Sequence, residues 1–248
     1  MCRLLGYVSN KTLNLQTVVG ADLEDFIKLS NKHGDGWGLA LVERGNGNSR
    51  VYRMPEPAKQ SSKLKDLVSN EKSDGAILHL RWATPGMPIR TENTHPFVRG
   101  KYAFMHNGFI STAVDQLIPP DLFSSLEGDT DSEKYFLIAL ECMNRFGPLQ
   151  GMIEGVRKIH STCDYSSLNA MLLTPEEMIV VSRHRPERIP ADEPHDYYEI
   201  RYRMTEGRVV AASTGWPQEG WTTLPNHSVT RIDRKTLAVS THCVSLVE

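Results

Sequence analysis

Two helix patterns follow one another with no strand between them, over residues 130–145 and 148–160, and strand-like sequence flanks the pair on both sides. Runs of Val, Ile, Leu and aromatic residues occupy 3–8, 37–43, 50–53, 75–81 and 102–106 before it. They occupy 168–173, 178–182, 198–204, 208–213, 228–232 and 237–242 after it. Further helical periodicity lies at 22–30, 61–69 and 111–117. An alternating βαβ chain would place a helix between successive strands, whereas here most strands follow one another directly. The expected class is therefore α+β, with helices layered on sheets. Thr130 or Asp129 caps the longer helix, and Asp131 and Glu133 bring negative charge to its first turn, where the helix dipole favours it. Gly147-Pro148 ends that helix and starts the next.

The segment 183–196, RHRPERIPADEPHD, is charged and broken by three prolines, but strands continue on both sides of it. It reads as a surface loop, so residues 1–248 are expected to form one domain. The loop 83–96, ATPGMPIRTENTHP, lies between two strong strands and is long for a structureless connection, which points to function. Twenty-eight basic and 30 acidic residues give a formal net charge of −2. Nucleic-acid and anionic-membrane partners both call for a basic field, so neither is expected. No apolar run approaches the roughly 18 residues of a membrane span. The start, MCRLLGYVSNKTLNLQ, lacks the features of a secretory signal, so a cytoplasmic location is expected.

The cysteines are Cys2, Cys142, Cys163 and Cys243. Their spacing suggests neither a disulfide frame nor a cysteine metal site, and no cofactor is expected. Cys142, in a helical run, and Cys243, in an alternating strand, are expected to be buried apolar fillers. Cys2 differs by position. Small residues after an initiator Met permit its removal, which would give Cys2 a free α-amine able to act as base towards its own thiol.

Four other segments carry candidate chemistry. His79-Leu80-Arg81-Trp82-Ala83-Thr84 closes a strand with a cation that is either a surface ion pair or a bidentate carboxylate binder. His106-Asn107-Gly108 follows KYAFM. By itself Asn-Gly reads first as a hairpin turn; the functional alternative is an amide and a backbone N–H converging on an oxyanion. Gly128-Asp129-Thr130-Asp131-Ser132-Glu133 is mostly explained by capping, but capping does not require Asp131, which could bind an ammonium group. His33-Gly34-Asp35-Gly36-Trp37-Gly38 is a plain turn or a place where backbone approaches a ligand closely.

Taken in order, Cys-Arg-Leu-Leu-Gly, HLRWAT, THPF, HNG and TDSE resemble the motifs of class II glutamine amidotransferases over roughly residues 2–145. Those are N-terminal-nucleophile hydrolases with a four-layer αββα fold. HGDGWG looks like the stand-alone branch, which includes the γ-glutamyl amidohydrolases of the ergothioneine pathway. The resemblance implies Cys2 as nucleophile, its α-amine as base, and Asn107 and Gly108 as the oxyanion hole. It implies Arg81 on the α-carboxylate and Asp131 on the α-ammonium of a glutamyl group, with Trp82, Thr84 and His106 as further substrate-binding positions. Pro85 stands where the sugar-amidotransferase branch has His, and His33-Gly34-Asp35 where multidomain branches have an Arg-Gly segment. Residues 146–248 leave little room for an added synthase domain. The expected activity is hydrolysis of glutamine or a γ-glutamyl conjugate through a thioester on Cys2. The alternatives are a glutaminase subunit serving a separate synthase, a metal-dependent hydrolase using His33, Asp35, His79, His95 and His106, and a binding module without catalysis.

Overall fold

The computed structural model describes residues 2–45 and 47–244. The first strands are β1 (Arg3–Asn14), β2 (Trp37–Val42), β3 (Ser49–Met54), β4 (Lys72–Leu80), β5 (Phe97–Arg99) and β6 (Tyr102–Asn107). After the helical pair come β7 (Asn169–Leu173), β8 (Glu177–Ser182), β9 (Ile200–Thr205), β10 (Arg208–Ser213), β11 (Thr222–Thr223), β12 (Ser228–Asp233) and β13 (Val239–Cys243). Helices α1 (Leu15–Val19), α2 (Asp22–Lys28) and α3 (Ser62–Asn70) lie among the early strands, and α4 (Pro120–Phe123), α5 (Asp131–Phe146) and α6 (Pro148–Thr162) form the central group. Two antiparallel sheets result, in the orders β11-β9-β10-β1-β4-β2-β3 and β13-β12-β8-β7-β6-β5.

Three apolar clusters separate four layers. Leu4, Val8, Ala40, Val42 and Ile77 of the first sheet meet Ala103, Met105, Met171, Met178 and Val180 of the second. Their strand neighbours point the other way. Leu5, Tyr7, Leu39, Leu78 and Leu80 pack against Leu15, Leu23, Phe26, Leu64 and Val68 of α1, α2 and α3. Phe104, Ala170, Leu172, Ile179 and Val181 pack against Phe136, Ala139, Met143, Met152 and Val156 of α5 and α6. The order is helix, sheet, sheet, helix, so the expected αββα arrangement is present. Because both faces of the central strands are covered, they read as unbroken apolar runs rather than alternating ones.

The expected strands all form, and α2, α3, α5 and α6 appear where helical periodicity placed them. The 111–117 segment winds instead as a 3₁₀ turn, Thr112–Leu117. Thr130 caps α5, its side chain accepting from the Glu133 N–H. Cys142 is buried, but Cys243 is exposed, contrary to expectation. Its strand, β13, pairs only with β12 at the edge of the second sheet, and no layer covers it.

One buried cation ties the sheets together. Arg234, fully buried, donates to the Thr174 and Val42 carbonyls and meets Asp74 at 2.6 Å. Removing one partner of a buried pair typically costs about 3–5 kcal/mol. Arg234→Met should lower the urea-unfolding free energy by about that amount; a loss below about 1 kcal/mol would show that the clasp is dispensable.

Candidate active site

The start of β1, the ends of β4 and β6 and the first turn of α5 meet at one point. β1 and β4 run antiparallel with Arg3 opposite Leu80, so one step further along the ladder sets Cys2 beside Arg81. The next residue, Trp82, brackets the sulfur. Its N–H donates to Cys2 Sγ at 3.4 Å, and the thiol donates to the Trp82 carbonyl at 3.6 Å. Burial pushes the Cys2 thiol pKa up, against the pull of the Arg81 guanidinium. A thiol in this setting rests protonated and needs a base to become a nucleophile.

The HGDGWG segment packs against the protein's own backbone. Asp35 N–H donates to the Arg81 carbonyl at 3.1 Å, Arg81 N–H donates to the Gly36 carbonyl at 2.7 Å, and Asp35 Oδ2 accepts from Ala83 N–H at 2.7 Å. The close approach that the glycines permit is to the protein itself: a Cβ on Gly38 would lie 1.9 Å from the His95 carbonyl oxygen. His33 then packs edge-on against the Trp82 ring at 5.4 Å. This clamp fixes where Arg81 and Trp82 leave β4. Arg81 is 3% exposed; its Nη2 donates to the Pro88 carbonyl, and Nη1 has no partner among the described residues.

At the end of β6 the Asn107 side chain is fully buried, and neither Nδ2 nor Oδ1 has a partner among the described residues. Gly108 follows, where a Cβ would fall 1.8 Å from the Ser167 carbonyl oxygen. Only glycine lets the chain pass that carbonyl. The Asn-Gly pair is therefore no hairpin turn; after it the chain continues into the 3₁₀ segment and α4. Asp131 opens α5, with Oδ2 accepting from Ile110 N–H at 2.7 Å and Oδ1 from the Ser132 hydroxyl at 3.3 Å.

Of the His106-Asn107-Gly108 motif only Gly108 lines the cavity at Cys2; His106 and Asn107 lie buried behind it. The two ring nitrogens of His106 meet Ser132 Oγ at 2.9 Å and the Ser167 carbonyl at 3.0 Å. His106 braces the start of α5 against the 167 carbonyl that Gly108 passes. His95, expected only within THPF and as a ligand in the metal-dependent alternative, lines the cavity, with both ring nitrogens unpartnered among the described residues. It stacks on His79 at 4.1 Å.

The cavity at Cys2 is small, about 30 Å³, and Arg81, Thr84, Met87 and Asp131 line it. Two clefts adjoin it. One of about 130 Å³ shares Thr84, Met87 and Asp131. The other, of about 300 Å³, shares Trp82, Thr84 and Gly108, and its outer wall is Pro190, Asp192, Glu193 and Tyr197. That wall comes from the proline-broken segment whose sequence gave no sign of a site. Among the described residues no three His, Cys, Asp or Glu side chains are grouped to hold a metal ion.

Burial holds three imidazoles neutral: His33 is pushed down to about 2, His79 to about 3, and His95 well below the usual histidine range. Unfolded histidines titrate near 6.5. Below that pH the unfolded chain binds more protons than the folded one, so stability falls as pH drops. Burial lowers His106, His184 and His227 as well, and the three most shifted groups alone should lower the unfolding free energy by about 4 kcal/mol per pH unit near pH 5.5. His95→Phe should reduce the slope by about 1.2 kcal/mol per pH unit. Urea titrations between pH 6.5 and 5 test this, and a flat profile would mean that these imidazoles protonate in the folded state.

The family described as glutamine amidotransferases class-II matches residues 1–183. The chain is 26% identical over 168 residues to a probable glutamine amidotransferase, DUG3, of Saccharomyces cerevisiae, covering 59% of this chain and 47% of that protein. It is 30% identical over 122 residues to the gamma-glutamyl-hercynylcysteine sulfoxide hydrolase of Mycobacterium tuberculosis, covering 46% of this chain and 52% of that one. The chain thus spans about half the length of these curated relatives. The structure of a glutamine aminotransferase class-II domain protein from Silicibacter pomeroyi superimposes with a TM-score of 0.70, covering 98% of this chain and 100% of that one, at 18% identity. At that identity the superposition speaks for the fold, the N-terminal-nucleophile αββα sandwich. Fold, motif order and a match over most of its length agree, and the chain belongs to the class II glutamine amidotransferases.

Proposed function

We propose that this enzyme hydrolyses the γ-amide of glutamine or of a γ-glutamyl conjugate through a γ-glutamyl thioester on Cys2. The observation that carries the reading is Asn107, whose buried amide is unspent beside a Gly108 that admits no side chain. A buried amide with no partner is costly, and natural proteins seldom keep one without a use. An oxyanion formed near Cys2 supplies that use.

With Met1 removed, the Cys2 α-amine, with an ordinary pKa of about 7.7–8.0, takes the thiol proton. The thiolate attacks the γ-carbon, and the resulting oxyanion accepts from Asn107 Nδ2–H and the Gly108 N–H. The ammonium returns its proton to the leaving nitrogen as the C–N bond breaks. Water, deprotonated by the freed amine, then attacks the thioester and releases glutamate and the Cys2 thiol. Arg81, through its free Nη1, holds the α-carboxylate, and Asp131 the α-ammonium. The 300 Å³ cleft beyond Trp82 is far larger than ammonia requires, which favours a conjugate over a subunit that only supplies ammonia.

Glutamate release from glutamine and from γ-glutamyl amides tests this directly. Cys2→Ala should abolish release, by on the order of 10³-fold or more, with folding intact. Asn107→Ala should lower kcat by about 10²–10³-fold with little change in KM. Arg81→Ala should act chiefly on KM. Full activity in Cys2→Ala would sink the mechanism, and an active enzyme whose intact mass retains Met1 would refute the α-amine as base.

A further inference from the structure

We propose that the cleft beside Trp82 is a leaving-group subsite for a cation, so that preferred substrates are γ-glutamyl amides whose amine half carries an ammonium or quaternary ammonium head. This rests on the γ-glutamyl reading above and names the part of the substrate which that reading leaves open.

The direction of the substrate follows from what each cleft shares with the cavity at Cys2. Asp131, assigned to the α-ammonium, borders the smaller cleft. Trp82 and Gly108, which flank the sulfur and the oxyanion position, border the larger one. A γ-glutamyl group held by Arg81 and Asp131 therefore points its amide substituent into the larger cleft.

The chemistry of that cleft suits positive charge. Two carboxylates, Asp192 and Glu193, and three aromatic rings, Trp82, Phe109 and Tyr197, line it, and no basic side chain does. An ammonium already rests at its edge: Lys32 Nζ pairs with Glu193 and sits 5.1 Å from the centre of the Trp82 ring. A carboxylate beside an indole face is the arrangement that recognises alkylammonium groups. Lys32 holds the place loosely, since its side chain is 48% exposed while that of Glu193 is 10% exposed. The ammonium end of this pair is half in solvent on a flexible stem and yields Glu193 to a better-placed cation. Arg3 does not compete, because it lies behind the wall. Its guanidinium donates to the Tyr197 carbonyl and stacks 4.5 Å from that ring, which fixes the wall in position.

The test compares initial rates on glutamine and on the γ-glutamyl amides of 1,5-diaminopentane, pentylamine and 5-aminopentanoic acid. These three amides are cationic, neutral and anionic at similar length. The cationic amide should exceed the neutral one in kcat/KM by about tenfold, with the anionic amide lowest. Asp192→Asn with Glu193→Gln should bring the cationic-to-neutral ratio close to one. Lys32→Met, which removes the resident ammonium, should raise it. Release of glutamate at equal rates from all three amides overturns the cationic subsite and leaves the γ-glutamyl reading intact. So does a preference for the anionic amide that Lys32→Met abolishes. No release from any of the four compounds overturns both.

Discussion

Arg3 pairs with Leu80 across β1 and β4, and that register places the sulfur of Cys2 beside Arg81 and between the backbone groups of Trp82. A slip of one residue would turn every side chain of β1 to the opposite face. Leu4 and Val8 would then leave the space between the sheets, and Leu5 and Tyr7 would leave the helices. Because both faces of the strand are buried, the apolar layers hold the register far more firmly than the ladder alone could. The position of Cys2 is thus a by-product of packing on two sides, and no contact at Cys2 itself is needed to set it.

The same core leaves polar groups unsatisfied where the strands end. Arg81 Nη1, both polar atoms of Asn107 and both ring nitrogens of His95 are buried without partners among the described residues. Such groups cost stability wherever they occur. Here they gather at one cavity wall and strand end, backed by elements that cannot relax towards them. Gly108 is pinned against the Ser167 carbonyl, His106 braces α5, and the Asp35 clamp fixes the end of β4. Donors held rigid and unspent need no reorganisation when charge develops near them, which is the source of electrostatic catalysis.

Much of this was legible in the sequence because the strands are doubly covered. Runs such as AILHL and NAMLL announce buried strands, and Thr130 with Gly147-Pro148 marks the limits of α5. Cys243 misled because an edge strand alternates as an interior one does, and only sheet order tells them apart. HGDGWG left its reading open in a more useful way. Its glycines do mark a close approach, but local sequence cannot say that the neighbour is the His95 carbonyl, some 60 residues on, and not a ligand. His106 shared a motif with Asn107, yet strand alternation turns the two to opposite sides. The 190–197 wall was hidden for a plainer reason. A proline-rich charged loop looks alike whether it faces solvent or a cleft, and Ser167, which shapes Gly108, carries no signal at all.

Trp82 belongs to two neighbourhoods at once. Its backbone flanks the Cys2 sulfur on the donor and the acceptor side, while its ring forms a wall of the larger cleft. Whatever presses on that ring therefore leans on the residue that brackets the Cys2 sulfur. Under the proposed mechanism, recognition and reactivity become one mechanical degree of freedom at this position. Selectivity among substrates would then be expressed as turnover and not merely as residence, and no change at Trp82 could be sorted as purely one or the other.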